Sequence, residues 1–319
     1  RAIDNDGGGG ASTVRFLDST HVTLRNADIL HNGPFGLHIN VKFATVENVK
    51  CTGNNWRGGL SGHVMHGNGG VGGGFSHLLI RNSQFNENYG LGMRQDHLAE
   101  HVLIENCQFN RNKLSGGMMW EISYGPVTIR DTEVIGNNGR GIENLCVHGM
   151  TLQGCTIANN RGPQLSFSPM LNRGKVVAKG MPRFSGPKRW PLGGKAHEGY
   201  WIEGILSTRI EDCTIAVTEP SLEDHELIQS HYWTNNDHYF FDWLQNQLEA
   251  NRNTYYHAAK EQVFDIGTDW GKEGEYGTIE QWRDTTGQDG YSLWRKPERE
   301  FPPPAEAEVA GEDVPLHRQ

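Results

Sequence analysis

The chain has 319 residues, which is enough for one large domain or two small ones. Its net charge of −9 argues against nucleic-acid binding, and no apolar run approaches the ~20 residues that a membrane-spanning helix needs. Glycine is abundant at 41 residues while hydrophobic residues make up only 36%, a mix that indicates many turns and little helix.

Cysteine usage and the start of the chain give two further expectations. Five cysteines stand at wide spacings without a CxxC pair, and this pattern predicts neither a zinc site nor a disulfide framework. No signal peptide is visible, and Arg1 already lies in what reads as repeat sequence. We therefore expect a fragment or a processed form.

A repeat of 22 to 25 residues runs through the first two-thirds of the chain. Short β-like runs are centred on apolar anchors at Leu24, Val46, Ile80, Ile104, Ile129, Leu152 and Ile210. Four rows of similar residues follow the anchors at fixed offsets. Asn or Asp stands two residues after most anchors, a small residue stands three after, an apolar residue five after and asparagine eight after. Stacked amides bond one another and bare turn backbone, which favours Asn and Asp at turns. The small row includes Cys107, Cys155 and Cys213, which we interpret as core residues.

These rows predict the fold. Rungs of this length with apolar interior stacks and asparagine turns are typical of an all-β, right-handed parallel β-helix, here with about seven or more coils. A leucine-rich repeat of similar period would show its LxxLxLxxN pattern, which is absent. We assign residues 1–220 to the β-helix, 221–300 to a degenerate last coil and a cap with a helix at 278–283, and 301–319 to an extended or disordered tail.

Two insertions interrupt the repeat. Residues 65–75 are rich in glycine and are interpreted as a flexible loop that lengthens one coil. The second insertion spans residues 171–198, and its residues 171–197 carry seven basic residues and no Asp or Glu, together with Trp190. The second insertion is read either as a lid over an anionic or hydroxyl-rich ligand or as a solvated loop.

A third row begins after each second asparagine, at Gly36, Gly59, Gly92, Gly117, Gly141, Pro163 and Gly199. Side chains alternate between the two sides of a strand. The residue one position after the start of each row therefore faces inward, and the residues two and four positions after it face outward. The outward residues form a polar surface on one sheet, which we call the ledge. Its titratable members are His38, His63, Arg94, Asp96, Glu121, Glu143 and Glu203. Trp120, Tyr124 and Asn144 stand beside them in the sequence.

Two carboxylates stand at the same phase of consecutive repeats. Asp96 lies four residues after Gly92, and Glu121 lies four residues after Gly117. On adjacent rungs of a solenoid, such positions are about 4.8 Å apart. Retaining glycosidases hold their carboxyls about 5–5.5 Å apart, whereas inverting ones need about 6.5–9.5 Å. Two such close carboxylates do not both ionise easily, so we expect Glu121 to hold a proton as an acid/base.

The same residues carry a resemblance. Asp96 in one coil, followed by Glu121-Ile122-Ser123-Tyr124-Gly125-Pro126 in the next, resembles a pattern of the β-helix β-xylosidase family of glycoside hydrolases. More broadly, the chain resembles bacterial right-handed β-helix carbohydrate-active proteins. The resemblance implies Asp96 as nucleophile and Glu121 as acid/base. The close match covers about two coils, and the β-sandwich that this family carries is not visible in the sequence.

The hypothesis at this point is a retaining glycoside hydrolase that acts on a plant or microbial polysaccharide or its oligosaccharides. The residues predicted to bind substrate are His38, His63, Arg94, Trp120, Tyr124, Glu143, Asn144, Trp190 and Glu203. We expect no cofactor, no resident metal, no nucleic acid and no membrane partner. A polysaccharide substrate implies an extracellular or periplasmic location.

The sequence leaves two other functions open. A polysaccharide lyase acting on a uronate-containing glycan would use Arg94 or a histidine, with Asp96, Glu121 and Glu143 as Ca²⁺ ligands. The absence of lysine from the ledge counts against it. A non-catalytic glycan-binding β-helix would bind without forming product, and the fold alone does not separate these functions.

Overall fold

The computed structural model describes residues 2–3, 12–33, 35–56, 68–73, 75–96, 99–123, 125–147, 149–167, 207–223, 225–230, 247–265 and 276–306. The strands are β1 (Ala2–Ile3), β2 (Ser12–Leu30), β3 (Phe35–Thr52), β4 (Asn68–Gly73), β5 (Phe75–Arg81), β6 (Leu91–Asp96), β7 (Glu100–Glu105), β8 (Met118–Ser123), β9 (Val127–Arg130), β10 (Glu133–Ile135), β11 (Ile142–Val147), β12 (Met150–Gln153), β13 (Thr156–Ala158), β14 (Leu165–Phe167), β15 (Thr208–Glu211), β16 (Thr214–Val217), β17 (Ile228–Ser230), β18 (Leu248–Asn251), β19 (Thr254–His257), β20 (Phe264–Asp265), β21 (Tyr276–Gly277) and β22 (Leu293–Trp294). A 3₁₀ helix spans Pro220–Leu222, and helix α1 spans Ile279–Thr286.

The predicted parallel β-helix is confirmed. Successive rungs of its first face pair in the order β4, β6, β8, β11, β14, β17 and β20. The second face consists of β5, β7, β9, β12, β15 and β18, and the third of β10, β13, β16, β19 and β22. All these pairs are parallel. Strands β2 and β3 are long enough to pair with each other around the turns between faces.

The first asparagine row lies at a turn with left-handed backbone. Asn26, Asn48, Asn82, Asn106, Asp131 and Asp212 all have φ between 49° and 54°. Asn and Asp adopt positive φ more readily than most residues with a Cβ. The amides also bond one another, since Nδ2 of Asn106 donates to Oδ1 of Asn82 at 2.7 Å. This row therefore reflects a backbone requirement as well as the amide stacking that the sequence predicted.

The second asparagine row is a buried amide ladder. Its members, each 0% exposed, are Asn32, Asn54, Asn88, Asn112, Asn137 and Asn160. The side-chain amide of Asn112 donates to Oδ1 of Asn137 at 2.8 Å, and its backbone N–H donates to the same oxygen at 2.9 Å. This pair of bonds repeats from coil to coil until Asn160 donates to Oε1 of Gln164 at 2.8 Å. Each amide thus fixes the height and register of the next coil.

The ladder explains the glycine row that starts each first-face strand. A Cβ at Gly92 would lie 2.7 Å from Nδ2 of Asn112, and a Cβ at Gly141 would lie 2.8 Å from Nδ2 of Asn160. At Gly117 it would meet Cγ1 of Val134 at 2.2 Å. Glycine is required because the ladder amides and the interior side chains fill the space where a side chain would begin.

The interior consists of stacks of similar side chains. The row five residues after each anchor is at most 1% exposed throughout: Ile29, Cys51, Phe85, Phe109, Val134, Ile157 and Ile215. The rings of Phe85 and Phe109 stack with centroids 5.0 Å apart. The described cysteines, Cys51, Cys107, Cys155 and Cys213, are buried free thiols, as the rows predicted. Burial raises the pKa of the Cys107 thiol to about 12, so that it is inert packing.

The glycine-rich insertion contains a strand of the first face. In β4, Val71 pairs with Leu37 and Met93, and Gly72 pairs with His38 and Arg94. The interpretation of this segment as a flexible loop is therefore wrong for residues 68–73. The register that began at Gly59 is also wrong, because residues 71 and 72 take the places that we had assigned to residues 60 and 61.

A buried carboxylate holds the C-terminal cap together. Trp282 of α1 is fully buried, and its Nε1 donates to Asp289 at 2.8 Å. The same carboxylate accepts hydrogen bonds from Asn253 at 3.0 Å and from the hydroxyl of Tyr255 at 3.2 Å. The cap thereby bonds to the last coil through a satisfied buried charge, which the burial of a carboxylate requires.

The first residues of the tail pack on the third face. The backbone N–H of Ala305 donates to the carbonyl of Gly136 at 2.8 Å, and Nη1 of Arg111 donates to the carbonyl of Pro303 at 3.1 Å. Residues 301–306 are thus extended and run back along the coils.

We predict that Asn112→Asp lowers the free energy of unfolding by roughly 3 kcal/mol at neutral pH. The carboxylate has no N–H to donate to Asn137, and it buries a negative charge in the ladder. Urea unfolding measures the effect, with Asn106→Asp in the exposed row as a matched control that is expected to cost less than about 1 kcal/mol. An equal loss of unfolding free energy in the two variants would show that the buried ladder stabilises the fold no more than the exposed row does.

His257 at the end of β19 gives a prediction about pH. It is 4% exposed, and its Nδ1 accepts hydrogen bonds from the backbone N–H groups of Ala259 at 3.1 Å and Lys260 at 3.2 Å. Burial, followed by the charge of Lys260, lowers the pKa of His257 to about 4. The unfolded chain therefore binds more protons between about pH 4 and 6.5, so stability falls as the pH is lowered through this window.

In His257→Asn the side-chain oxygen can still accept hydrogen bonds at the position of Nδ1, but it does not titrate. We expect this variant to lose less stability than the wild type between pH 7 and pH 4.5, by up to about 3 kcal/mol. Thermal unfolding across this pH range measures the difference. Parallel curves for the two proteins would contradict the assignment.

Candidate functional site

The first face places the two predicted catalytic residues side by side. Asp96 at the end of β6 is the direct Cα partner of Glu121 in β8. Leu145 of β11 is the partner of Glu121 on the following rung. The backbone of Asp96 is described, but its side chain lies outside the described part of the structure. The adjacent-rung geometry predicted from the repeat is confirmed for this pair of positions.

Glu121 is a buried carboxylate on the outer side of the coil. It is only 2% exposed, although its neighbours in the strand, Trp120 and Met118, point into the core. Nη2 of Arg94, from the preceding rung, lies 3.7 Å from its Oε2. The guanidinium favours the carboxylate form, and burial favours the protonated form.

An apolar contact adjoins this ion pair. Leu145 is 2% exposed and packs against Met119 outside the main core. In register, Met119 lies between Arg94 and Glu143 in one row, while Glu121 lies between Asp96 and Leu145 in the next. The ledge therefore combines charged and apolar side chains at one place.

Glu143 is a second acid on the ledge and is partly buried. Its Oε1 accepts a hydrogen bond from Nη1 of Arg140 at 3.0 Å. Burial raises the pKa of Glu143 above its usual range, and the positive charge of Arg140 opposes this shift. On the next rung, Glu143 pairs with Ser166, which is fully buried.

His38 belongs to the same row at a distance of two rungs. It pairs with Arg15 on one side and with Gly72 on the other, and Gly72 in turn pairs with Arg94. Burial, followed by the charge of Arg15, lowers the pKa of His38 below its usual range. His38 is therefore a neutral, half-buried imidazole at neutral pH.

Trp120 and Asn144 were predicted to bind substrate, and the structure places both inside the coil. Trp120 is 0% exposed and belongs to the core. Asn144, its partner on the next rung, is also 0% exposed, and its Oδ1 accepts a hydrogen bond from the backbone N–H of Val147 at 2.9 Å. Both occupy inward positions of the period-2 alternation, so neither faces the ledge, and these two assignments are wrong.

The later coils of the ledge also differ from the predicted register. Leu165 pairs with Ile142 and Ser166 pairs with Glu143, so the row that we began at Pro163 is shifted by one residue. Phe167 consequently points into the core. The next first-face strand is β17, where Ile228 pairs with Leu165. The row that we began at Gly199 is therefore not the next rung.

Four predicted site residues, His63, Tyr124, Trp190 and Glu203, lie outside the described residues. Among the residues that are described, no three His, Cys, Asp or Glu side chains lie close enough to hold a metal ion. In the same part of the chain, no helix has the length and apolar character needed to cross a bilayer.

One exposed feature is absent from the rows that we predicted from the sequence. Three residues before successive anchors stand His21, Phe43, His77 and His101, and their rings stack outside the second face. We call this group the ring column. The same offset rule that revealed the asparagine rows would have revealed it, because its members are aromatic or imidazole in four consecutive coils.

Comparisons with known proteins address the fold. A family model described as "Right handed beta helix region" matches residues 3–157. A search of the curated proteins finds no significant match.

Two solved structures are similar in fold. The A-module of mannuronan C-5 epimerase AlgE4 from Azotobacter vinelandii has a TM-score of 0.52 at 13% identity, over 87% of this chain and 58% of that one. The A-module of AlgE6 from the same organism gives 0.54 at 15% identity, over 88% and 59%. The chain thus spans less than two-thirds of the length of either. Together with the strand pairing, these matches identify the chain as a right-handed parallel β-helix.

Proposed function

We propose that the protein is a carbohydrate-active enzyme, specifically a retaining glycoside hydrolase acting on a polysaccharide or its oligosaccharides. The observation that carries the proposal is the pairing of Asp96 with Glu121 on adjacent parallel strands. Neighbouring strands lie about 4.8 Å apart, close to the about 5–5.5 Å separation of carboxyls in retaining enzymes and short of the about 6.5–9.5 Å that an inverting enzyme needs.

The chemistry follows in two steps. In the first, a carboxylate oxygen of Asp96 bonds to the anomeric carbon while the glycosidic C–O bond breaks and Glu121 gives its proton to the leaving oxygen. In the second, a water attacks the anomeric carbon, Glu121 takes its proton, and Asp96 leaves as a carboxylate. Glu121 must therefore serve in both protonation states.

The surroundings of Glu121 suit this double role. Burial of Glu121, which pairs in register with Leu145 on the following rung, favours the neutral acid. Arg94 at 3.7 Å favours the carboxylate that remains after proton transfer. Arg94, Glu143 and His38 line the same face and would hold sugar hydroxyl groups. The roles of His63, Tyr124, Trp190 and Glu203 in substrate binding stay predictions.

The substrate and location are part of the same proposal. The two similar solved structures are named for action on mannuronan, a polysaccharide, which supports a polymeric sugar substrate for this chain. A polymer of this kind is met outside the cytoplasm, so we also propose an extracellular or periplasmic location. The reaction above uses no cofactor.

We predict that Glu121→Gln lowers kcat about 10²–10⁴-fold on a polysaccharide or aryl glycoside that the wild type cleaves. The amide keeps the shape of the side chain and removes the transferable proton. A panel of polysaccharides and aryl glycosides, read by the release of reducing ends, measures the effect. Glu105→Gln on the second face is the matched control and is expected to leave kcat unchanged. Full turnover by Glu121→Gln would eliminate the assignment.

A second candidate function is proton abstraction from a uronate sugar, as in a lyase or an epimerase. Arg94 favours it, because a guanidinium on the ledge can pair with a substrate carboxylate and make the neighbouring C–H more acidic. The names of the two similar structures point to the same substrate class. In the lyase form, carboxylates of the ledge would hold Ca²⁺.

We predict that polymannuronate distinguishes the two candidates. A lyase would raise the ultraviolet absorbance of unsaturated uronates, and Arg94→Lys would lower that rate at least about tenfold, because lysine lacks the planar fork that pairs with a carboxylate. A glycosidase would release reducing ends without the absorbance. Loss of the absorbance with a chelator would assign the carboxylates to Ca²⁺. Binding without either product would leave a glycan-binding protein.

A further inference from the structure

The ring column lies at the turn that leads into the second face, away from the ledge. Ring centroids of His21 and Phe43 are 4.8 Å apart, those of Phe43 and His77 are 4.6 Å apart, and those of His77 and His101 are 4.6 Å apart. All four side chains are exposed, and Phe43 keeps 42% of its surface accessible. Exposed rings in register over four coils are unusual for a solvated surface.

The backbone beneath these rings is in the left-handed region. The φ angles are 59° at His21, 58° at Phe43, 57° at His77 and 52° at His101. A bulky residue such as Phe is rarely found there, and the strain marks a position worth a functional hypothesis. Later coils place Gly149 or Ser207 at this turn, also with positive φ. The fold itself therefore does not require rings here.

An open groove runs beside the ring column along the second face. It has a volume of about 440 Å³, and Thr23, Thr45, Leu79 and Leu103 line it together with the rings. Two residues further along these strands, Glu47 pairs with Arg25 at 2.8 Å and with Arg81 at 2.7 Å. The groove thus has an apolar and hydroxyl-bearing floor, with imidazoles along one side and a row of ion-paired side chains along the other.

A hydrogen-bond chain fixes the tautomer of the central histidine. Oγ of Ser76 donates to Oε1 of Glu100 at 2.7 Å, and the same oxygen lies 2.7 Å from Nδ1 of His77. Because the only hydroxyl proton goes to Glu100, Nδ1 of His77 must carry the proton of that second bond. In the neutral ring, Nε2 then has a lone pair that can accept a hydrogen bond from a ligand hydroxyl.

We propose that the ring column and its groove bind a linear glycan along the axis of the β-helix, separately from the ledge. Imidazole nitrogens such as Nε2 of His77 and the hydroxyls of Thr23 and Thr45 bond the sugar hydroxyls, and the ring edges and leucines contact sugar C–H groups. Arg25, Glu47, Arg81 and Glu105 follow one another in register beside the groove. Their two positive and two negative charges cancel, so this row does not favour a polyanion over a neutral polymer. The inference rests on the proposed function, since it assumes a polysaccharide substrate that is held at a second place.

The test is affinity electrophoresis in gels that contain soluble xylan or polymannuronate. The double variant Phe43→Asn/His77→Asn removes two rings and keeps residues that tolerate positive φ. We expect the wild type to be retarded and the double variant to bind about tenfold more weakly, with turnover of a short aryl glycoside unchanged. If the double variant unfolds, the single variant Phe43→Asn is measured in the same gels instead. Tyr291→Ala, which removes an 81% exposed ring near the cap, is the matched control and should bind like the wild type.

The outcomes separate this inference from the proposed function. Lack of retardation of the wild type on both polymers, or equal retardation of the wild type and the ring-column variants, overturns the glycan site. Either result leaves the proposed hydrolase standing if Glu121→Gln abolishes turnover. Retardation that depends on the rings, together with full activity of Glu121→Gln, supports the glycan site and overturns the catalytic assignment.

Discussion

The buried amide ladder is the interaction on which the rest of the structure depends. Each ladder asparagine before Asn160 donates its side-chain and backbone N–H groups to one oxygen on the next coil, as Asn112 does to Asn137. These bonds leave no freedom to slide a coil by one residue, because a slip would leave buried donors unpaired. The alternation of side chains between the inside and outside of every strand follows from that register. The pairing of Asp96 with Glu121 is one consequence of it.

A rigid interior leaves the outer positions free to vary, and the two candidate sites use this freedom differently. The ledge buries its carboxylates: Glu121 is 2% exposed, beside Arg94 and the apolar Leu145. The burial weakens solvation and makes the protonation state of Glu121 sensitive to its neighbours. The ring column instead exposes rings such as Phe43, which suits contact with an extended ligand. A surface with buried carboxylates suits catalysis, whereas a surface with exposed rings suits binding.

Fixed offsets in the sequence were enough to predict the fold, the interior stacks and the adjacent-rung placement of the two carboxylates. They failed where the pattern is locally ambiguous. Glycine runs have no side chains to alternate, so β4 was read as a loop. Proline replaces glycine at Pro163, and the row there was read one residue out of register. Trp120 and Asn144 were predicted to bind substrate because of their chemistry, although their odd offset from Gly117 and Gly141 already predicted that they face inward.

The ring column also shows why residue chemistry and backbone conformation must be considered together. By residue type alone, the members of the ring column are ordinary surface residues between the ledge and the second face. They are His21, Phe43, His77 and His101. Histidine adopts positive φ more readily than most residues, but Phe43 at φ 58° is a costly choice. Gly149 avoids that cost at the same turn, two coils beyond His101. Stacking between the rings offsets part of this cost. Stacking alone, however, does not account for a hydrogen-bond chain from Glu100 through Ser76 that leaves a lone pair of His77 directed away from that chain. A lone pair directed towards solvent can accept a hydrogen bond from a ligand hydroxyl. Together with the exposed rings, this supports the proposal that the column is a ligand surface.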